Sequence, residues 1–444
     1  MARTAQRAVP TWLLWFAMPA VCSAAIIGTN PPSMPLSLAR IGRLPADQQQ
    51  PWREYFENSR RLRAADQEFF AAELKQHNIT NPTTPREASG NVGLSLNRPA
   101  EWFAGALAQT IASNVVSFQT PAGGWSKNMS YTNRARLPGE RFAPGNAAPA
   151  AAAPLTASAG SPDNDSTSDP GWHYVGTFDN DATIGQIRFL ARVGTALGEA
   201  DGAVCRTAMR RGLEYTVAAQ FPNGGFPQCF PLEGGYHDSV TFNDNSLINI
   251  LNLLRDAARG TGDFTTVPAD LRGRASRAVD RGIACILASQ IVVEGRRTVW
   301  CQQHDALTLA PTSARNYEMP SQSSSESDDV MALLMALPDP SPEIVASIHA
   351  AAAWFQKTIL REVAFRAVAG SGRLLVTQEG APPLWARFYE IGTDRPIFGD
   401  RDKTIHDKVD EISMERRNGY AWFGGGPARI LEDYSQWAKA HPAR

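Results

Sequence analysis

The chain has no surplus of positive charge, so it does not read as a nucleic-acid binder. Lys and Arg total 43 against 44 Asp and Glu, a net charge of −1 over 444 residues, whereas such binders carry a basic excess. A polyanionic ligand would have to be gripped by local clusters of Arg and Lys. Cysteine is scarce: five residues are too few for a disulfide scaffold, and there is no CxxC pair. Cys205, Cys229, Cys285 and Cys301 allow three pairings if oxidised; buried thiols are the simpler expectation. Cys301 and His304 have ligand-like spacing, but two ligands do not make a structural zinc site. The seven His are scattered. His237 beside Asp238 and His304 beside Asp305 read as local hydrogen-bonding groups. No apolar run is long enough for a membrane span. There is no GxxxxGK[ST], no GxGxxG after a strand, no HExxH and no GxSxG, which removes several common chemistries at once.

What remains is an ordinary globular composition, 43% hydrophobic and 20% charged, with 11 Trp and 31 Pro that point to a loop-rich surface with sugar-stacking platforms. Arg3 and Arg7 precede an apolar run, Trp12 to Cys22, and small residues Ser23, Ala24 and Ala25 follow. This is the order of an export leader over 1–25, so the mature chain is expected to be secreted or periplasmic. Residues 26–97 are polar and charged, and read as an amino-terminal extension packed on a main body, 98–444. Within that body, 143–170 is rich in Ala, Pro, Ser, Asp and Gly, the composition of a long surface loop.

The body repeats. Helical stretches end at Gln119, Gln220 and Gln290, and each is followed by a short loop with an aromatic: GGW at Gly123, GGF at Gly224, VW at Val299. Each loop leads into a turn and a second helix: FDNDATIGQIRFL, FNDNSLINILNLL and SESDDVMALLMAL. Ile184, Ile187 and Leu190, then Leu247, Ile250, Leu251 and Leu254, then Val330, Leu333, Leu334 and Leu337 follow helical spacing. A partial fourth unit runs from Ile344 to Leu360. Few runs alternate like strands beyond Arg373 to Thr377. The pattern predicts a mostly α fold, an α/α toroid of about three helical hairpins with loops building a groove at one end.

Asp179, Asn180 and Asp181 open one inner helix, and Asn243, Asp244 and Asn245 open the next. Capping explains one oxygen per helix. Two adjacent turns with several Asp and Asn oxygens also suit a hard cation such as calcium, although no EF-hand loop is present. The opposite charge gathers in loop-like sequence among aromatics: Arg315, Arg387, Arg395, Arg401, Arg416 and Arg417, with Lys127 after the GGW loop. Such a set fits a groove that pairs guanidinium with carboxylate.

Together these segments resemble the family 10 pectate lyases. The resemblance rests on GGWSKN at Gly123, TFDNDATIGQIRFLARV at Thr177, PNGGFPQCFPLEGGYHDSVTFNDNS at Pro222, TVWCQQHDALTLAPTSARNYEMPSQSSSES at Thr298, LWARFYEIGTDRPIFGDRD at Leu384 and GYAWFGGGPARIL at Gly419. The resemblance implies an α/α toroid acting on polygalacturonate by β-elimination, with calcium as cofactor and no nucleic-acid partner. It implies Asp179, Asn180 and Asp244 as calcium-site residues, Arg315 as the base that takes the C5 proton, and Lys127, Arg387 and Arg401 as substrate-binding residues. A monomer is expected. Asp181 stands where the family usually has Gly, and Cys229 where it has an aromatic. Two other readings remain open from the residues alone. One is a calcium-independent glycoside hydrolase using Glu326, Asp328 or Asp329; the other is a non-catalytic polysaccharide-binding protein.

Overall fold

Three glutamines lock three helices to their neighbours in the same way, and the body is built on that repetition. The computed structural model describes residues 25–144 and 172–443. The expected leader, apart from Ala25, and nearly all of the 143–170 stretch lie outside the described residues. In chain order the helices are α1 (Leu38–Ile41), α2 (Ala46–Gln76), α3 (Ala106–Ser117), α4 (Ile184–Ala196), α5 (Gly198–Asp201), α6 (Ala203–Ala218), α7 (Ser246–Arg259), α8 (Ala269–Ser289), α9 (Ser324–Met335), α10 (Pro342–Lys357), α11 (Met414–Gly419) and α12 (Gly426–Ala440).

Gln119, just past α3, donates from Nε2 to Gly123 O at 2.9 Å and to Ala208 O on α6 at 3.0 Å. Gln220, past α6, donates to Gly224 O at 2.9 Å and Ala278 O on α8 at 2.8 Å. Gln290, past α8, donates to Thr298 O at 2.9 Å and Ser347 O on α10 at 3.1 Å. Each amide therefore ties its own loop to the next outer helix. The glycines belong to the same joints. A Cβ at Gly123 would lie 2.8 Å from Arg211 O, and one at Gly224 only 2.1 Å from Arg281 O; both residues also have positive φ, +112° and +93°. Indole N–H groups close the loops further: Trp125 donates to Val115 O, Trp300 to Ile286 O and Trp385 to Phe355 O, at 2.7–2.9 Å. Trp385 gives α10 the same joint, so the repeat extends to a fourth unit.

The apolar stripes of α4, α7 and α9 face inward, with Ile187, Leu190, Leu247, Ile250, Leu254, Val330 and Leu334 fully buried. Trp125, Trp300, Trp385 and Trp422 are also fully buried, so these four indoles are core and not sugar platforms. The expected mostly α toroid of about three hairpins is not what forms. Helix makes up 47% of the described residues and strand 12%, the strands being thirteen short segments in six small sheets. Contacts advance along the chain, α4 on α7, α7 on α9 and α9 on α10 and α12; among the described residues no extended contact joins α3 or α4 back to those last helices. The strands escaped the sequence reading because most are two residues long, too short for alternation to register. Strand character was expected at Arg373 to Thr377, which forms strand Gly372–Thr377; its hairpin partner Val363–Val368 was not read from the sequence.

The amino-terminal residues reach into this body. The Tyr55 hydroxyl of α2 donates to Ala219 O at 3.0 Å, and Trp52 packs on Phe221 with ring centroids 5.3 Å apart. Strand Ile26–Thr29 pairs with Thr404–His406. Just after it, Asn30 Nδ2 lies 2.9–3.2 Å from the carbonyls of Arg315, Asn316 and Glu318. No helix among the described residues is long and apolar enough to cross a membrane.

Candidate active site

The sequences FDNDA and FNDNS become two turns of one shape, Asp179–Asp181 and Asn243–Asn245, which pack on each other. In each the middle residue is left-handed: Asn180 at φ 51°, ψ 41° and Asp244 at φ 51°, ψ 32°. Asn and Asp are the residues besides Gly that take this conformation most readily. Neither α4 nor α7 has a side-chain hydrogen bond at its N-cap, so capping does not consume these oxygens.

Asp179 is buried. Its Oδ2 pairs with Lys127 Nζ at 2.5 Å, and its buried Oδ1 has no hydrogen-bond donor among the described residues other than the neighbouring Asp244 carboxyl. Burial disfavours its charge, but Lys127 outweighs burial and holds the carboxyl below its ordinary range. Asp244 is exposed, yet its packed neighbours limit the solvation of its carboxyl. That desolvation first, and then the charge of Asp179, push its carboxyl up to about 7. Two carboxyls compete here while Lys127 pairs with one of them, and their oxygens form a donor set suited to a hard divalent ion. Asn180 is exposed; its backbone carbonyl accepts from Asn91 Nδ2 at 3.4 Å, and no side-chain hydrogen bond ties it to the carboxyl pair among the described residues.

Asn243 connects this pair to the arginines. Its Oδ1 accepts from Arg387 Nη2 at 3.0 Å and from Gln302 Nε2 at 2.9 Å. Gln302 Nε2 also reaches Glu318 Oε1 at 3.1 Å. Glu318 is buried and grips Arg315 with both oxygens, Nε to Oε2 at 2.9 Å and Nη2 to Oε1 at 2.5 Å. Tyr420 donates its hydroxyl to the same Oε1 at 2.7 Å. Burial alone would lower the Arg315 pKa. Glu318 reverses this and holds the guanidinium well above its ordinary value. Glu318 itself, although buried, is held down to about 2 by Arg315, Arg387 and Tyr420.

The other arginines are also partnered. Arg387 pairs with the buried Glu326, with its guanidinium 4.8 Å from the Tyr420 ring centroid. Arg401, partly exposed, pairs with Glu415 at 2.9 Å, and Arg416 pairs with the same glutamate at 2.8 Å. Arg395 lies between Glu390 and Asp407. The structure thus brings Asp179, Asp244, Lys127, Arg315 and Arg387 together, sets Arg401 at the rim through the shared Tyr317 ring, and leaves Asn180 beside the pair. Asn243 was read only as part of the acidic turn and not as the link to the arginines; Glu318, Gln302 and Tyr420 were not anticipated as site residues. Glu318 stands three residues after Arg315, a spacing that could have flagged it; Gln302 and Tyr420 left no such sign. The four described cysteines are all free and buried.

Residues 119–431 match the family described as pectic acid lyase. Two solved structures are similar to the chain. One is a mutant family 10 polysaccharide lyase from Cellvibrio cellulosa in complex with trigalacturonic acid, 32% identical, covering 78% of this chain and 97% of its own, with a TM-score of 0.61. The other is a family 10 polysaccharide lyase from the same organism, 31% identical, covering 79% and 98%, also with a TM-score of 0.61. No curated protein matches the chain significantly.

Proposed function

Because the chain belongs to the pectic acid lyase family and is a polysaccharide lyase, we propose that it cleaves α-1,4-polygalacturonate by calcium-dependent β-elimination after export from the cytoplasm. The observation that carries this reading is the joining of the Asp179–Asp244 carboxyl pair to Arg315 through Asn243, Gln302 and Glu318. Asp179 and Asp244 fit a calcium ion, since both offer hard oxygens and Asp179 Oδ1 is buried with no donor among the described residues other than the Asp244 carboxyl. Asn180 is the third residue of that proposed set. A calcium ion held there would neutralise a uronate carboxylate and so acidify its C5 proton.

The remaining work falls to the chain. Arg387, Arg401 and Lys127 bind uronate carboxylates, and the tyrosine faces of the groove, Tyr317 and Tyr420, line the same cations. Arg315 removes the C5 proton. The C5–H electrons become the C4–C5 double bond, the C4–O4 bond breaks, and water protonates the leaving oxygen. A free guanidinium is almost wholly protonated even at alkaline pH, and each unit by which its pKa exceeds the pH costs ~1.4 kcal/mol. The Glu318 pair adds to that cost, so the rate should climb steeply toward alkaline pH.

The Glu318 contact also favours a second reading, in which Arg315 stays charged and only clamps the substrate while hydroxide takes the proton. Both readings predict a 4,5-unsaturated product. Incubation with polygalacturonate at alkaline pH should give rising ultraviolet absorbance. Saturated reducing ends without that absorbance would mean hydrolysis by Glu326, Asp328 or Asp329; binding without any product would mean a non-catalytic protein.

A further inference from the structure

A second group of ligating side chains is linked to the acidic turns through Tyr174 and Lys127 and differs from them in chemistry. Glu233 Oε1 is 2.9 Å from His173 Nδ1 and 3.3 Å from His237 Nδ1, and the three residues are 8%, 5% and 1% exposed. We propose that His173, Glu233 and His237 form a structural site for a transition-metal ion, zinc in the first instance, separate from the oxygen-only site at Asp179 and Asp244.

The geometry carries the argument. Two donors bound to one tetrahedral zinc at 2.0–2.1 Å lie about 3.3 Å apart. The carboxylate oxygen stands near that distance from both imidazole nitrogens, and all three ligand atoms fall within 4.8 Å of one another. The two rings are nearly perpendicular, at 84° with centroids 5.2 Å apart, so their planes do not stack against each other. Glu233 is also fixed for monodentate binding: its other oxygen, Oε2, accepts from the Tyr174 backbone N–H at 2.9 Å, the kind of outer contact that orients a ligating carboxylate. Two neutral imidazoles and one carboxylate leave a single negative charge for a dication. Imidazole nitrogen selects zinc, copper or nickel over calcium.

The place of the triad gives it a task. His173 and Tyr174 come from the segment entering the first acidic turn, and Glu233 and His237 from the loop entering the second. A metal here would clip those loops together. The Tyr174 ring carries Lys127 Nζ 3.5 Å from its centroid, and Lys127 pairs with Asp179. The clip would therefore fix the cation that sets the charge on the acidic pair. A plain hydrogen-bonded His–Glu–His cluster is the competing account.

Metal content separates the two, and the readout does not depend on the lyase reading. The full chain, purified and dialysed against a calcium chelator, is titrated with zinc alone and assayed for bound metal; cobalt is then substituted and its visible spectrum recorded. The expected result is one tightly held zinc per chain, a cobalt spectrum of tetrahedral type, and a melting temperature that falls on zinc-selective chelation and recovers with zinc but not with calcium. His173→Ala and His237→Ala should each weaken zinc at least ~100-fold, while Asp244→Asn keeps it. Wild-type protein that takes up no zinc overturns the proposal, as does zinc uptake unchanged in the double variant His173→Ala, His237→Ala. The chelation experiment on the wild type stands even if a variant fails to fold.

Discussion

The two sides of the candidate site, an acidic wall and a basic wall, treat charge in opposite ways. On one wall, Asp179 and Asp244 face each other with Lys127 as the paired cation, and a buried oxygen is left over. On the other, Arg315, Arg387 and Arg401 each already hold a glutamate: Glu318, Glu326 and Glu415. The acidic wall is short of positive charge, and the basic wall is neutralised in advance. The lesson is that an arginine in a groove is not by itself a free clamp. Burial grades the three pairs. Glu318 and Glu326 have side chains 2% exposed, whereas Glu415 is 56% exposed. A solvent-exposed pair contributes little and exchanges partners readily, while a buried pair penalises the loss of either member.

The comparison can be broken first at Arg315. Arg315→Ala should lower kcat on the order of 10²- to 10⁴-fold, the usual scale for a lost base, with oligogalacturonate affinity largely kept. Arg315→Lys should be nearly as inactive. A lysine variant close to wild type at its own best pH favours the clamp reading. Next is Arg387. Removing it strands Glu326 in the core, so Arg387→Ala should cost about 3–5 kcal/mol of stability, read in denaturant or thermal melts, besides any loss of pectate affinity. An unchanged melt would mean that the ion pair is not structural.

The acidic wall is tested by Asp179→Ala and Asp244→Ala. Each should weaken calcium by roughly 10- to 100-fold and recover activity in part at high calcium, because one ligand of several is lost. Asp179→Ala should be the worse of the two, since it also frees Lys127. Calcium titration of each variant checks this; a variant inactive at every calcium level with unchanged calcium affinity points to another role. The smallest effect belongs to Arg401. Arg401→Ala should change stability by less than about 1 kcal/mol, yet weaken binding to pectate more than to methylated pectin, where the carboxylate partner is gone. Equal weakening on both polymers would assign Arg401 to holding the loop through Glu415.

Much of the acidic wall was legible in the sequence. The FDND and FNDN turns, the helical spacing from Ile184 to Leu190 and from Leu247 to Leu254, and the three closing glutamines are all local patterns, and local patterns survive folding. The basic wall was half legible. Its arginines could be read off, and Glu318 stood within reach three residues after Arg315, but the distant partners could not be read: Glu326 is 61 residues from Arg387, and Asn30 is 285 from Arg315. Those distances are closed only by tertiary packing. His237 and Glu233 are four residues apart and could have been noticed, but His173 is 60 residues from that glutamate, and without it the cluster has no third ligand. The closed ring was over-read from the repeat, because a repeated hairpin specifies its contact with the next unit and not whether the series returns to its start.

The central claim is that the acidic pair is a calcium site on which the lyase reaction depends. Its most direct test is a single assay on the full chain with polygalacturonate at alkaline pH, first as purified, then stripped with EDTA, then with calcium returned. The account predicts ultraviolet-absorbing product that disappears on stripping and is restored by calcium, and is not restored by calcium in the double variant Asp179→Ala, Asp244→Ala. Product formation that continues undiminished in EDTA would contradict it.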